Sequence, residues 1–406
     1  MMKLNKNKIV AFIESHIVSY GTASNLNYVW SFGALAGAML VVQIISGLLM
    51  CLHYIPDTKE AFESIVLYTR NGNYGWAIRY LHSNGASFFF AIVYAHILKA
   101  LYYGSYYHPR EKVWFTGLAM YLLMMATAFI GYVLPWGQMS LWGATVITNL
   151  FTSIPFIGEA ITKWLWGGYS VGGPTLVRFA GLHYVLPWIL VALTLTHLSF
   201  LHQAASNNPI GTEKVTVSSF FPYFGLKDLH AVLVLMTILA LVITFIPNYL
   251  GHTDNYIPAN PFVTPKHIVP EWYFLPFYAI LRSIPHKVGG VVAMGGAILV
   301  LFFLPVLNTS RIRNTYFRPI YSIFLGFFVV DFILLGWVGQ LPVEHPYDSY
   351  GLYFTIYYYF FFLIFLPLSG KIESWLIANK LLEVECGLEN ETSLLYKKYL
   401  SNCFQK

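Results

Sequence analysis

Long uncharged runs alternate along this chain with short connections that carry the charges, the prolines and many of the glycines. About 20 apolar residues in a helix cross a bilayer core. Eight runs reach that length, at roughly 31–53, 77–103, 113–134, 177–204, 229–247, 289–307, 319–339 and 349–369. Between the third and fourth runs, residues 135–176 contain GQMSLWGATVITNLF and IPFIGEAITKWLW. Each is too short to span and is punctuated by Gly or Pro, so short interfacial helices are expected there. The connection 248–288 is as long and rich in proline. The pattern predicts an all-α membrane protein with eight transmembrane helices and short interfacial helices after the third span. It divides into an N-terminal segment 1–30, a four-helix N-terminal domain 31–210, a four-span C-terminal domain 211–370 and a polar tail 371–406.

Composition agrees with lipid as the solvent. Of 406 residues 57% are hydrophobic and 10% charged, against about 25% charged in soluble domains. The net charge of +6 is thinly spread and implies no nucleic-acid partner. Cys51, Cys386 and Cys403 are far apart and form no CxxC, so neither a disulfide framework nor a zinc or iron–sulfur site is expected. The start, MMKLNKNKIVAFIESH, lacks the apolar region of a cleavable signal. Lys and Arg mark the side from which a membrane protein inserts. Lys3, Lys6 and Lys8, Arg110 and Lys112, Lys214 and Lys227, and Arg311, Arg313 and Arg318 fall on one side if there are eight spans. This is the inner side, and both termini are expected on it. The opposite loop PVEHPYDSYG holds Glu344 and Asp348 and neither Lys nor Arg.

Four histidines lie inside the second and fourth runs: His82 and His96, then His183 and His197. Each pair is fourteen residues apart, which advances a helix by about 21 Å and returns within about 40° of the same face. The two spans are separated by one crossing and run in the same direction. His82 is then level with His183 towards the outer side, and His96 with His197 towards the inner side. Histidines in two tiers cannot surround one tetrahedral zinc, but each pair could clamp a haem iron from both faces. Filling both axial positions favours electron transfer over oxygen chemistry. Polar residues that merely bridge helices in a bundle are the plainer reading of any one of them; the duplicated interval argues against it for all four. Gly33 and Gly47 in the first span, and Gly117 and Gly131 in the third, repeat the interval. Small residues admit a close neighbour, and a porphyrin edge is such a neighbour; generic helix packing explains the glycines equally well, but not the shared interval. Arg79 and Arg178 stand at the outer tier and Lys99 at the inner, where propionates need cationic partners; taken singly, each reads equally well as a cation snorkelling from a helix end. Pro187 is expected to kink the fourth span.

The motifs WAIRYLHSNGASFFF, GYVLPWGQMSLWGATVITNL, TPKHIVPEWYFLPFYAILRSIP, FRP and PVEHPY resemble the mitochondrial cytochrome b family, the haem-bearing core of ubiquinol–cytochrome c oxidoreductase, over about residues 20–370. The resemblance implies eight spans, the first four forming the bundle that binds two b-type haems. It implies that His82 and His183 hold the low-potential outer haem and His96 and His197 the high-potential inner one, with Trp114 among the residues around them. It implies an outer quinol site built from Tyr132, Gly143, Ile147, Glu271, Tyr273, Phe277 and Tyr278, with Glu271 taking a proton from the quinol. It implies an inner quinone site built from Trp30, His202, Ser206, Phe220, Lys227 and Asp228.

The implied activity is bifurcated quinol oxidation at the outer site. One electron goes to an iron–sulfur (Rieske) subunit and the other crosses through both haems to reduce quinone at the inner site, with net proton translocation. Ubiquinone is the implied substrate. The implied partners are the Rieske and cytochrome c1 subunits, accessory subunits, membrane lipid and a second copy of the complex. The implied location is the mitochondrial inner membrane with both termini on the matrix side. Four residues depart from the familiar pattern: Ser31 and Phe115 replace common asparagines, while His252 and His286 stand where acids are common. A ferric reductase or superoxide-generating oxidase would need a nicotinamide- and flavin-binding domain, which is not expected after residue 370. A cofactor-free proton-relay transporter is the other class, separated by a haem spectrum.

Overall fold

The computed structural model describes residues 10–379 apart from 12–13, 212–214 and 311. Lys3, Lys6, Lys8, Lys214, Arg311, Cys386, Cys403 and most of the polar tail lie outside the described residues.

Among those residues, eight helices are long and apolar enough to cross a membrane. They are α1 (Tyr28–Cys51), α3 (Gly75–Tyr103), α4 (Glu111–Val133), α7 (Gly173–Ala204), α8 (Phe220–Phe245), α10 (Lys287–Leu307), α11 (Pro319–Gln340) and α12 (Tyr347–Leu376). All eight coincide with apolar runs of the sequence. Shorter helices are α2 (Ala61–Asn71), α5 (Gln138–Asn149), α6 (Gly158–Trp166) and α9 (Leu275–Ser283). α5 and α6 are the interfacial pieces expected after the third span; α2 and α9 are additions to the expectation. So is a two-stranded antiparallel ribbon, β1 (Gly21–Ala23) with β2 (Val217–Ser219). Helix ends follow local chemistry. α3 stops at Gly104, whose φ of +61° is cheap only without a Cβ, and α7 starts with Pro174 in its first turn. α7 continues as one helix through Pro187.

In lipid, close packing rather than water exclusion holds helices together. α1 packs on α3 and α4 on α7, and α8 lies against α1 and α3. α8 thus sides with the first bundle, although it follows residue 211. α9 packs among α10, α11 and α12, which glycines permit. A Cβ on Gly339 would fall 2.4 Å from the Leu275 carbonyl oxygen, and one on Gly290 2.3 Å from that of Leu281. Trp114 joins the halves: its indole donates to the Leu301 carbonyl at 2.8 Å, in the core shared by α4 and α10.

The departures have local explanations. His252 caps the turn Thr253–Tyr256, its Nδ1 accepting from the Asp254 amide at 3.2 Å. His286 caps α10, accepting from the Gly289 amide at 3.3 Å. A neutral imidazole nitrogen serves as acceptor where a carboxylate would. Phe115 stacks on Phe302 with centroids 6.3 Å apart. Ser31 is buried beside the Asp228 carboxyl.

Candidate functional site: two histidine tiers and an acid-walled cavity

The fourteen-residue intervals lock together across helices. Gly47 and Gly33 of α1 abut His82 and His96 of α3, and Gly131 and Gly117 of α4 abut His183 and His197 of α7. A Cβ would lie 3.0 Å from His82 Cε1, 3.7 Å from His96 Cε1, 2.4 Å from His183 Cε1 and 3.2 Å from His197 Cε1. The nearest side chain to each glycine is therefore the imidazole level with it on the adjacent helix. Each glycine seats one ring against the backbone of the adjacent helix.

Three of the four rings are also fixed in tautomer. The Ser46 hydroxyl donates to the Val42 carbonyl at 2.6 Å, so its oxygen accepts from His82 Nδ1 at 3.0 Å. The Thr116 hydroxyl donates to Lys112 O at 2.8 Å and accepts from His197 Nδ1 at 2.9 Å. The Thr127 carbonyl accepts from His183 Nδ1 at 2.9 Å. Each arrangement leaves Nε2 unprotonated and free to ligate a metal. His96 differs, for its Nδ1 is buried without a hydrogen-bond partner among the described residues. The position corresponding to Ser46, fourteen residues earlier, is Phe32.

Whether the outer pair suits an iron follows from its geometry. The His82 and His183 ring centroids are 6.2 Å apart with planes at 83°. A ring nitrogen lies about 1.1 Å from its centroid and a metal–imidazole bond is about 2 Å, so two rings on opposite faces of one metal stand roughly 6 Å apart. The pair fits. No group of three or more His, Cys, Asp or Glu suited to a metal ion occurs among the described residues. His96 and His197 are near enough to interact electrostatically.

A cavity of about 310 Å³ surrounds the outer pair. Its wall includes Gly47, His82, Gly131, His183, Pro187, Arg79, Tyr132, Tyr273 and Glu271. A second, smaller cavity of about 30 Å³ is lined by Phe129, Tyr132, Gly143, Val146, Ile147, Ile268, Pro270, Glu271, Phe274 and Tyr278. Glu271 and Tyr132 belong to both walls. Burial pushes the Glu271 carboxyl up to about 7, with the neighbouring Tyr132 phenol working the other way. A Cβ on Gly143 would meet nothing within 4 Å, so that face of the small cavity is open.

Long-range hydrogen bonds hold this wall in place. Ser140 at the start of α5 donates both its amide and its hydroxyl to Asn255 Oδ1, at 3.0 and 2.9 Å. Gln138 donates to the Val263 carbonyl at 2.9 Å and accepts from the Asn260 amide at 2.7 Å. The Trp272 indole donates to Ser87 of α3 at 3.0 Å, the Tyr94 hydroxyl donates to the Tyr273 carbonyl, and Tyr273 stacks on Phe90 at 4.0 Å. The PEWY segment is thereby tied to the histidine-bearing helix.

Other anticipated residues lie elsewhere. Phe277 is in the apolar core against Phe332, and Phe274 takes the place at the small cavity. Trp114 is engaged by Leu301, as above. Arg178 donates to the Trp164 carbonyl at 2.6 Å, outside the cavity wall. At the C-terminal end of α3, Lys99 reaches Ser105 at 3.3 Å and Asn207 Oδ1 at 3.5 Å and lies 4.5 Å from the centre of the Trp30 ring. Trp30 donates to the Asn207 carbonyl at 2.9 Å and packs in one cluster with Phe220. Lys227 donates to the Leu26 carbonyl at 2.7 Å, Asp228 faces Ser31, and Ser206 is half-buried beside Asn207. His202 stacks on Tyr20. The sequence reading missed Ser46, Thr116, Thr127, Phe274, Asn207 and Tyr20. For Ser46 and Thr116 a signal existed: each is a hydroxyl residue immediately before a spaced glycine.

Comparison with known proteins agrees with this architecture. Residues 17–205 match the family model "Cytochrome b/b6/petB" and residues 258–360 match "Cytochrome b(C-terminal)/b6/petD". The cytochrome b of Phytophthora megasperma is 55% identical over 93% of this chain and 98% of its own length. That of Chondrus crispus is 51% identical over 94% and 100%, and that of Rickettsia bellii 56% identical over 88% and 90%. A chain of a solved "Hyperthermophilic respiratory Complex III" superposes with a TM-score of 0.86 at 35% identity, covering 91% of this chain and 98% of that one. With two spaced histidine pairs in an eight-span fold and this extent of similarity, the chain belongs to the cytochrome b family, the multi-pass electron-transfer proteins of respiratory complex III.

Proposed function

We propose that this chain is the two-haem, quinol-oxidising and quinone-reducing subunit of a ubiquinol–cytochrome c oxidoreductase. The observation that carries the reading is the wall of Glu271 and Tyr132 shared between the outer histidine cavity and the small cavity at α5. His82 and His183 would hold an outer b-type haem and His96 and His197 an inner one. When bound, these groups supply one-electron carriers in two tiers across the membrane. Gly33, Gly47, Gly117 and Gly131 seat the ligand rings, Arg79 at the outer tier and Lys99 at the inner offer charge to propionates, and Arg178 and Trp114 brace the helices that carry the ligands.

Quinol oxidation releases two protons and two electrons. In the small cavity, Tyr132, Gly143, Ile147, Phe274 and Tyr278 hold the ring, while Tyr273 and Phe277 support that wall from the core. Glu271 accepts one proton, and its elevated affinity suits a base working near neutral pH. One electron leaves to a separate iron–sulfur (Rieske) subunit, consistent with the chain's lack of a cysteine cluster, and the other crosses to the inner side. There His202, Ser206, Lys227 and Asp228, with Trp30 and Phe220, bind quinone and supply protons from the adjacent solvent. Release outside and uptake inside translocate protons. Cytochrome c1, accessory subunits and a second copy complete the complex. The eukaryotic relatives above 50% identity support placement in the mitochondrial inner membrane, and the Lys and Arg of the loops argue for both termini on the matrix side.

A reduced-minus-oxidised spectrum of the purified complex tests the reading, repeated with His82→Leu. Two distinguishable b-type signals are expected, of which the variant loses the outer one. A single signal, or unchanged haem content in the variant, contradicts it.

A further inference from the structure

Tyr20 precedes β1 and is held in place by the ribbon. Its carbonyl accepts from the Phe220 amide at 2.8 Å, and Gly21 pairs with Ser219. This brings the N-terminal segment over the last turn of α7. There the Tyr20 ring stacks on His202 with centroids 4.4 Å apart and planes 24° from parallel. Its hydroxyl is buried and has no hydrogen-bond partner among the described residues. A buried hydroxyl without a partner costs about 1–3 kcal/mol, a cost that a carbonyl acceptor placed against it would remove. The Arg110 guanidinium, whose Nε donates to the Ala205 carbonyl at 2.7 Å, lies nearby. Burial raises the phenol's affinity for its proton, with Arg110 opposing. The group therefore stays protonated at neutral pH and can only be a donor to a carbonyl.

We propose that Tyr20 is a working part of the inner quinone site. Its phenol donates a hydrogen bond to a carbonyl oxygen of the bound quinone, and its ring positions the His202 imidazole. The proposal rests on the inner-site reading above and adds a group from outside the helix bundle. Quinone reaching this site meets a donor delivered by the N-terminal ribbon as well as those on α7 and α8. An aromatic ring holds the imidazole in one plane, which an aliphatic side chain would not do.

The test uses the intact complex in native membranes, with added short-chain quinone. The readouts are KM and kcat for reoxidation of the inner carrier, and their pH profiles. Tyr20→Phe keeps the stack and removes the hydroxyl. It is expected to raise KM about tenfold while kcat changes less than twofold; an unchanged KM overturns the proposal. Tyr20→Leu is expected to raise KM as much, to lower kcat and to shift the pH profile, because no aromatic ring then stacks on His202. A kcat and profile equal to those of Tyr20→Phe would overturn the positioning role. Full haem content in the absorbance spectrum certifies folding, and if Tyr20→Leu does not assemble, Tyr20→Phe decides. His202→Leu separates the two levels: if it too leaves reoxidation intact, the inner-site reading falls as well. If it abolishes reoxidation while both Tyr20 variants behave as wild type, only the Tyr20 role falls.

Discussion

A Cβ on Gly131 would stand 2.4 Å from Cε1 of His183. The equivalent distances at Gly47, Gly117 and Gly33 are 3.0, 3.2 and 3.7 Å. The first cannot be met without moving a ring or a helix, and the last is an ordinary contact. Alanine substitutions should therefore graduate: Gly131→Ala abolishes the outer haem, Gly47→Ala and Gly117→Ala reduce one haem each, and Gly33→Ala is tolerated. Gly143→Ala, whose Cβ enters open space, should leave both haems intact. Haem per polypeptide from reduced-minus-oxidised spectra checks the order, and equal losses at Gly33 and Gly131 would contradict it.

The tautomer-fixing hydrogen bonds predict redox potentials. A hydrogen bond from Nδ1 makes imidazole a stronger donor and favours ferric iron. Both outer histidines make such bonds, whereas of the inner pair only His197 does. The inner site should therefore be the better acceptor, the order needed to draw an electron inwards. Ser46→Ala should raise the outer haem potential by at most about 40 mV, equivalent to about 1 kcal/mol for one electron. The Gln43 carbonyl within reach of the same ring keeps the shift from being larger. Potentiometric titration followed at the two haem bands reads this directly; a fall in the outer potential would contradict it.

The base role proposed for Glu271 predicts a pH dependence with a definite sign. Its carboxyl titrates at about 7, and the ionised form is the base. The rate of outer-site oxidation should therefore rise about tenfold between pH 6 and pH 8. An ordinary carboxylate would already be ionised at pH 6 and give a flat profile. Glu271→Gln should slow the step roughly a hundredfold and remove the slope. Haem reduction by quinol in a single turnover is the measurement, and a flat wild-type profile would remove Glu271 from the role of base.

The histidine tiers were legible because a fourteen-residue interval is a local property of two helices, and the spans because apolar length is one too. α2 and α9 were not, since helices of 11 and 9 residues fall below spanning length and α9 is held by glycines of α10 and α11. The second partners of a site come from afar. Phe274 rather than Phe277 faces the small cavity because Trp272 and Tyr273 are pinned to α3, and no periodicity in PEWYF shows that. Tyr20 reaches His202 only through a ribbon pairing residues about 200 positions apart. His252 and His286 looked like departures in chemistry and are helix caps, a distinction that backbone geometry alone can make.

The N-terminal end of α11 meets α12 through a buried ion pair. Arg318 Nε donates to Glu373 Oε2 at 2.7 Å, with both side chains essentially inaccessible. The other Glu373 oxygen accepts the Tyr321 amide at 3.0 Å, in the first turn of α11, where the helix dipole favours an anion. The guanidinium also lies 4.1 Å from the centre of the Tyr321 ring. Glu373→Leu strips the guanidinium of its counter-charge and leaves the Tyr321 amide unpaired, a loss of about 3–5 kcal/mol. Because burying the pair is itself expensive, Arg318→Met with Glu373→Leu should recover most of that loss. Denaturant-dependent retention of haem in detergent separates the cases. The single variant should release haem at markedly lower denaturant and the double variant near wild type. If the double variant were as weak as the single, the cluster would be holding α12 through hydrogen-bond geometry that apolar side chains cannot replace.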